Sequence, residues 1–252
     1  MEYGPEWREH RKLAHMVLRA ALLCKELLDR PGSFYENVIL AVGRVVMSVT
    51  YGLSLDAGIQ HIKNAEDVMS MLSKVLVPAA HVCDVFPHLK NLPSWFPFQE
   101  YASKWRARIE RDIIEAPFEH AKQLSVMILS LRPQFISEED PLREHRIKWV
   151  LGSMFTAGAE TTHGVLLTFF LAMATHPEKQ RVAQEIDNLL RGGDRMPLMS
   201  DMSKLPYVNA LIKETIRWHP ILPLSLARRS AEDDEYHGCL VPKDTTVIPN
   251  LW

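Results

Sequence analysis

A single helical stretch of roughly 35 residues, on the order of 50 Å at 1.5 Å per residue, limits what this chain can fold into. Asp140 can cap it, Pro141 suits its first position, and Pro177 forbids easy continuation past His176. In its middle lies Ala157-Gly158-Ala159-Glu160-Thr161-Thr162. A buried helix gains nothing from an interior Gly, which costs about 1 kcal/mol against Ala. It loses more from an unpartnered carboxylate. Gly158 therefore marks a close approach to the backbone, with the ionisable Glu160 beside it. The hydroxyls of Thr161 and Thr162 are expected to bond to carbonyls four residues back and to open the helix locally. An opened helix with an acid and a hydroxyl facing a cavity suits proton chemistry. The alternative is a core helix with a few satisfied polar residues.

The 252 residues are 47% hydrophobic and 24% charged, enough apolar material for a sizeable core. A formal charge of −2 gives no electrostatic case for nucleic acid or an anionic membrane surface. The histidines lack His-Glu-x-x-His spacing and the cysteines lack Cys-x-x-Cys spacing, so no zinc site is read. Cys24, Cys83 and Cys239 are far apart and fit a reducing compartment better than a disulfide framework. The polar start from Met1 to Glu6 is expected to be neither signal peptide nor anchor. The apolar region from Trp149 to Ala174 is interrupted by Glu160 and His163, which favours a core helix over a membrane span.

Helical periodicity is expected over Pro5 to Asp29, Ser33 to Tyr51, Ile59 to Lys74 and Gln99 to Leu131, the last with a bend at Pro117. The prolines between Val85 and Pro97 make that interval a loop. After the long helix come Pro177 to Leu190, closed by Gly192-Gly193, a loop from Asp194 to Ser203, and a helix from Lys204 to His219. Turn signals at Tyr236-His237-Gly238 and Lys243-Asp244 then flank Cys239 to Val241 and Thr245 to Ile248, which are expected to form a small hairpin.

Two further constellations stand out. Glu214 and Arg217, three apart on a helix, can pair. Leu205, Val208, Ile212 and Ile216 form one apolar stripe beside them, and Tyr207, Ala210, Leu211 and Trp218 a second. A helix apolar on two faces is expected to be buried on both, so the pair is predicted inside. Trp7 and Arg11 lie one turn apart and continue into an apolar stripe, so the guanidinium requires an anion from the protein or a cofactor.

Together these residues resemble the cytochrome P-450 family of haem-thiolate monooxygenases, in its fungal microsomal type, over essentially the whole chain. Residues 157–162 match its central-helix pattern Ala-Gly-x-acid-Thr-Thr, Glu214 and Arg217 its Glu-x-x-Arg, and Trp7 and Arg11 its early Trp-x-x-x-Arg. The stretch from Leu205-Pro206-Tyr207 to Pro223-Leu224, with Asp233 to Gly238 and Val241-Pro242-Lys243, is equally characteristic. The resemblance implies a mainly α, P-450-like helical fold, present in part, with a small β hairpin near the C-terminus. Residues 1–252 would be the central portion of a single catalytic domain. Glu160 and Thr161 would guide protons to dioxygen, and Gly158 would leave room above the haem. Trp7, Arg11 and Arg228 would meet the haem propionates. Glu214 and Arg217 would be structural.

The family's haem loop, Phe-x-x-Gly-x-Arg-x-Cys-x-Gly, is not found, and no cysteine here has its flanking residues, so no metal ligand is assigned. Ala227 stands where Pro is common and Asp244 where Gly is common. The resemblance implies haem-dependent insertion of one oxygen atom into a lipophilic small molecule, a secondary metabolite or xenobiotic. The electron donor would be an NADPH-dependent reductase, with no nucleic-acid partner. Complete relatives would sit in the endoplasmic reticulum membrane. This chain, without an anchor, is expected to be soluble and cytoplasmic if made as given. Without the axial thiolate it is expected to be inactive alone. A second reading stays open: a non-catalytic truncated relative serving as a lipophile-binding or interaction module.

Overall fold

Helices dominate the computed structural model, which describes residues 20–54, 56–75, 86, 88–89, 97–124, 141–180, 182–191 and 195–252. Trp7, Arg11, Cys83, Asp140 and the Gly192-Gly193 stop lie outside these residues. A helical stretch at residues 20–29 precedes α1 (Phe34–Tyr51), α2 (Ile59–Val75), α3 (Pro97–Ile109), a π-helical segment (Glu110–Glu115) and α4 (Ala116–Gln123). Then follow α5 (Pro141–Thr175), α6 (Val182–Leu190) and α7 (Pro206–Trp218). Short strands β1 (Arg228–Arg229), β2 (Asp234–Tyr236), β3 (Cys239–Val241) and β4 (Thr246–Val247) come last. The mainly α class with a small β element is as the sequence predicts. No described helix is long and apolar enough to cross a membrane. The chain divides into two compact units, Met1–His163 and Gly164–Trp252.

In the first unit, α1 ends where predicted. Gly52 adopts a left-handed φ of 72° and its N–H bonds the Ser48 carbonyl at 3.1 Å. Val38, Met47 and Tyr51 are fully buried along α1, and Ile62, Ala65 and Val68 bury the facing side of α2. The bend expected at Pro117 takes another form. Proline has no N–H for the carbonyl four residues back and its ring clashes there, so the chain widens into a π turn just before it. The Tyr51 hydroxyl makes a long contact of 3.5 Å with the carbonyl of Ile113, the residue four before Pro117. Burial pushes this phenol above its ordinary pKa. Beneath the same carbonyl, α5 presents Gly152, where an added Cβ would stand 3.2 Å from Ile113 O and 2.4 Å from Ile114 Cδ1.

His61 of α2 and His120 of α4 meet inside this unit, Nε2 to Nδ1 at 2.9 Å. One ring must donate and the other accept. His61 is buried, and its Nδ1 has no partner among the described residues.

The second unit holds the end of α5, α6, α7 and the strands. The helix expected from Pro177 to Leu190 is shorter than predicted. Pro177–Lys179 forms a separate 3-10 turn, and Gln180 leaves the helix to donate its side-chain amide to the Met173 carbonyl at 3.1 Å. The loop before α7 contains a 3-10 helix, Met199–Lys204, pinned by Asp201, which accepts from Arg195 at 2.7 Å and from the Leu198 N–H at 2.9 Å. Leu205 stands at the N-cap of α7 and cannot cap with its side chain. Glu185 of α6 does so instead, accepting from the N–H groups of Tyr207 at 3.0 Å and Val208 at 2.9 Å.

The strand partners differ from expectation. β3 pairs antiparallel with β2, with Glu235 opposite Leu240, and β4 pairs with β1. His237 and Gly238 both have positive φ, 51° and 78°, the two-residue loop that closes adjacent strands directly. Asp244, at φ 70°, turns the chain back toward β1 and pairs with Arg229, whose Nε donates at 2.6 Å. The left-handed backbone explains why Gly would serve there, and Asp tolerates it.

Gly152→Ala is expected to lower stability by about 1–3 kcal/mol through overpacking, although Ala is the better helix former by about 1 kcal/mol. Urea unfolding checks this, and a stabilised variant would contradict the packing at Ile113 and Ile114.

Burial first, and then the neighbouring His120, hold His61 below its ordinary pKa of 6.5. The unfolded chain therefore binds a proton at His61 that the folded chain refuses, and stability falls as pH drops from about 6.5 through the lowered value. His61→Phe should flatten part of that slope in urea melts taken across the window. Parallel curves for parent and variant would refute it.

Candidate functional site

α5 runs through residues 157–162 without a break. Thr161 Oγ1 does donate to the Ala157 carbonyl, at 2.8 Å, as the sequence implies. The expected local opening is absent, because the hydroxyl joins the helical ladder and does not displace it. Thr156 makes the same bond to the Gly152 carbonyl at 2.9 Å.

Successive helical residues point about 100° apart, and here that angle separates the acid from the alcohol. Thr161 lies on the exposed side of α5, one turn from the exposed Ala157. Met154 continues this face at 54% exposure. Glu160 turns toward a small pocket of about 30 Å³ instead. Ile39 and Gly43 of α1, Ile62 and Glu66 of α2, and Phe155 and His163 of α5 are among its walls. The Glu160 side chain is 44% exposed, so it is not the buried carboxylate that the apolar sequence around it suggests.

Gly158 faces α1, where an added Cβ would meet Val46 Cγ1 at 3.3 Å. The close approach it allows in this unit is that of helix to helix. Gly43 does the same between α1 and α2, since a Cβ there would stand 2.7 Å from Ile62 Cγ2.

His163 follows Glu160 by three residues. Its Nδ1 lies 3.1 Å from the Ala159 carbonyl and its Nε2 3.9 Å from Glu160 Oε1. The sequence marks His163 only as an interruption of an apolar run. The i, i+3 spacing from Glu160 is the signal that would have joined them. Glu66, from a helix far away in sequence, gives no such signal.

In the second unit Glu214 and Arg217 pair as predicted, Arg217 Nε to Glu214 Oε2 at 2.7 Å and Nη2 to Oε1 at 2.6 Å. Their predicted burial is corrected: the side chains are 71% exposed for Arg217 and 55% for Glu214. Within this unit α7 packs on α6 and on the Met199–Lys204 turn, and the covered line runs from Leu205 past Val208 and Leu211 to Thr215, across both predicted stripes. Ile212 and Ile216 of the first stripe and Trp218 of the second stay exposed. Arg228 is exposed on β1 and has no carboxylate partner among the described residues. Cys24 and Cys239 are exposed free thiols. No group of three or more metal-ligating side chains occurs among the described residues.

Comparison with known proteins gives a consistent result. The model of the cytochrome P-450 family matches residues 1–252. A cytochrome P-450 monooxygenase of Armillaria gallica is 33% identical over 100% of this chain and 55% of its own length. Similar enzymes of Coprinopsis cinerea and Hericium erinaceus are each 33% identical over 100% of this chain, and over 53% and 52% of their own lengths. The chain thus spans about half the length of the curated relatives it matches.

Arg217 holds the Glu214 carboxyl below its ordinary value, chiefly by hydrogen bonding. The pair's contribution is present above that ordinary value and is lost as pH falls through the lowered one. Being solvated, it should matter little to this chain. Arg217→Ala and Arg217→Lys are expected to leave the urea midpoint within error of the parent. A loss on the scale of a core substitution would show the pair to be enclosed.

Proposed function

The chain belongs to the cytochrome P-450 family, and on that premise we propose that its complete protein is a haem-dependent monooxygenase inserting one oxygen atom from dioxygen into a lipophilic small molecule. The observation that carries this reading is the open face of α5, with Ala157 and the Thr161 hydroxyl one turn apart. A methyl group and a small hydroxyl leave room for a flat macrocycle, so these residues fit one side of a haem. Trp7, Arg11 and Arg228 would supply donors and cations to its carboxylates, and Gly158 would keep the helix slender beside it. Bound, the haem would supply the redox chemistry that activates dioxygen.

The chain's own residues would handle protons and shape. Thr161 would present its Oγ1 on the open face, as an acceptor while its proton stays on the Ala157 carbonyl and as a donor once it turns from that bond. Glu160, one residue back, would carry protons from the pocket side to that face. Glu214 and Arg217 would brace their helix without touching substrate. The substrate class is a secondary metabolite or xenobiotic, and the electron donor an NADPH-dependent reductase. The complete protein would work at the endoplasmic reticulum membrane, with residues 1–252 as the central portion of one catalytic domain.

The test uses the complete gene product in microsomes with such a reductase. A red-shifted carbon-monoxide band of thiolate-ligated haem and NADPH-dependent incorporation of labelled dioxygen into lipophilic probes are expected. Absence of both would overturn the reading. Thr161→Ala should keep the band and lose product per NADPH by about tenfold or more, within the range of positioned proton transfer. Unchanged coupling would remove Thr161 from the mechanism.

A further inference from the structure

Histidine, cysteine, aspartate and glutamate nowhere gather in threes that could hold a metal among the described residues. Thioethers do gather, in the turn that leads into α7. Met196, Met199 and Met202 follow one another at intervals of three. All three are exposed, Met199 at 57%, and Leu198 is exposed with them. A single apolar side chain facing water is ordinary, but a group of them in one turn points to something that binds there.

The interval of three matters because of the helix type. Met199–Lys204 is a 3-10 helix, with three residues per turn and about 2.0 Å of rise for each. Met199 and Met202 therefore stand on one face, about 6 Å apart along the axis. Met196 precedes the helix and is held to it by a clamp. Arg195 Nη1 donates to the Met196 carbonyl at 3.1 Å and to Asp201 Oδ2 at 2.7 Å, while Nη2 reaches Asp201 Oδ1 at 3.3 Å. Asp201 Oδ2 also accepts from the Leu198 N–H at 2.9 Å. One guanidinium nitrogen thus ties the Met196 backbone to a residue that lies between Met199 and Met202 in the chain. The far end of the turn is fixed by α7, where Asn209 donates its side-chain amide to the Met202 carbonyl at 2.6 Å.

The clamp also decides which ions the turn can take. A hard divalent cation needs carboxylate oxygens. Asp201 is the one carboxylate between Arg195 and Lys204, and it is buried with both oxygens on Arg195. Lys204 adds a positive charge at the end of the turn, which repels a divalent ion twice as strongly as a monovalent one. What faces water is neutral sulfur, and thioether donors suit soft ions such as cuprous copper. Each thioether hangs on three rotatable bonds, so side chains rooted on one pinned turn can close on a single ion. A thioether has no proton to lose, so it ligates at low pH as at neutral pH, which His and Cys do not.

We propose that Met196, Met199 and Met202 form a binding site for one soft monovalent metal ion, cuprous copper, at the entry to α7. The site lies in the second unit, and the proposal does not depend on the monooxygenase reading.

The experiment is magnetic resonance of the complete protein with isotope-labelled methionine methyl groups, titrated with silver nitrate. Silver(I) is a soft monovalent ion that air does not oxidise, and the other methionines serve as internal controls. The three signals are assigned by their loss in Met196→Leu, Met199→Leu and Met202→Leu, swaps that conserve volume at exposed positions. All three are expected to shift together with a single midpoint, at about pH 7 and again at about pH 5, where histidine and thiol ligands are protonated. Arg195 first, and then the Leu198 N–H, hold the Asp201 carboxyl below its ordinary value, so the clamp stays closed at the lower pH. Met202→Leu should weaken silver binding, read at the Met196 and Met199 methyls, by about tenfold or more, since a lost ligand costs at least what a lost supporting partner does. Three unmoved methyls, separate midpoints, an equal response to zinc chloride, or an unchanged midpoint in Met202→Leu each overturn the proposal. A midpoint that rises about tenfold or more at the lower pH overturns it as well, because that assigns the ion to His or Cys. Cuprous copper, added with a reductant and without oxygen, is expected to move the same three methyls, and a failure to do so overturns the copper assignment. Arg195→Gln should detach Met196 from the shared midpoint, and a Met196 methyl that stays coupled overturns the part given to the clamp.

Discussion

Pro117 cannot give an N–H to the helix that contains it, and the packing of the first unit is organised around that missing donor. The chain widens into the Glu110–Glu115 π turn, which brings Ile113 and Ile114 into the core. Tyr51 reaches the Ile113 carbonyl from α1, and α5 comes in close because Gly152 has no side chain. Phe155, one turn further along α5, stands edge-on to Tyr51 with ring centroids 6.4 Å apart. The depth and rotation of α5 in this unit are therefore fixed below the functional motif. A helix held at that rotation has no freedom over where Glu160 and Thr161 point.

That rotation turns one short motif into two environments. Thr161 lies with Ala157 on a face left open among the described residues, and Glu160 lies beside a pocket that α1 and α2 form with α5. Small residues recur wherever helices must come close. Gly43 admits Ile62, and Gly158 admits Val46. Their use as spacers is a packing requirement of the helices, and it coexists with any room they leave for a ligand.

Much of this architecture was legible from residue pattern. α1 closes at Gly52, α2 spans nearly the predicted residues, and α5 runs from Pro141 to Thr175, one residue short of the expected end. Proline and glycine made these ends readable, because they act through local backbone sterics alone. What was not legible depends on partners distant in sequence. The two apolar stripes of α7 imply burial on both sides, yet each is covered only in part within its unit, so Glu214 and Arg217 are solvated. Strand pairing went to β2 because of the conformation of His237-Gly238, which the apolar runs do not encode. The contact between His61 and His120 has no trace in spacing, since 59 residues separate them.

The capping of α7 by Glu185 has a consequence for the order of assembly. A helix of 13 residues is marginal in water by itself, and Leu205 offers no side-chain oxygen to start it. Its first amides are satisfied by a carboxylate that exists in the right place only once α6 has formed and docked. During synthesis α6 leaves the ribosome first, so it stands as a template when the segment from Pro206 to Trp218 emerges. The register of α7, and with it the position of Glu214 and Arg217 around its axis, is inherited from its neighbour.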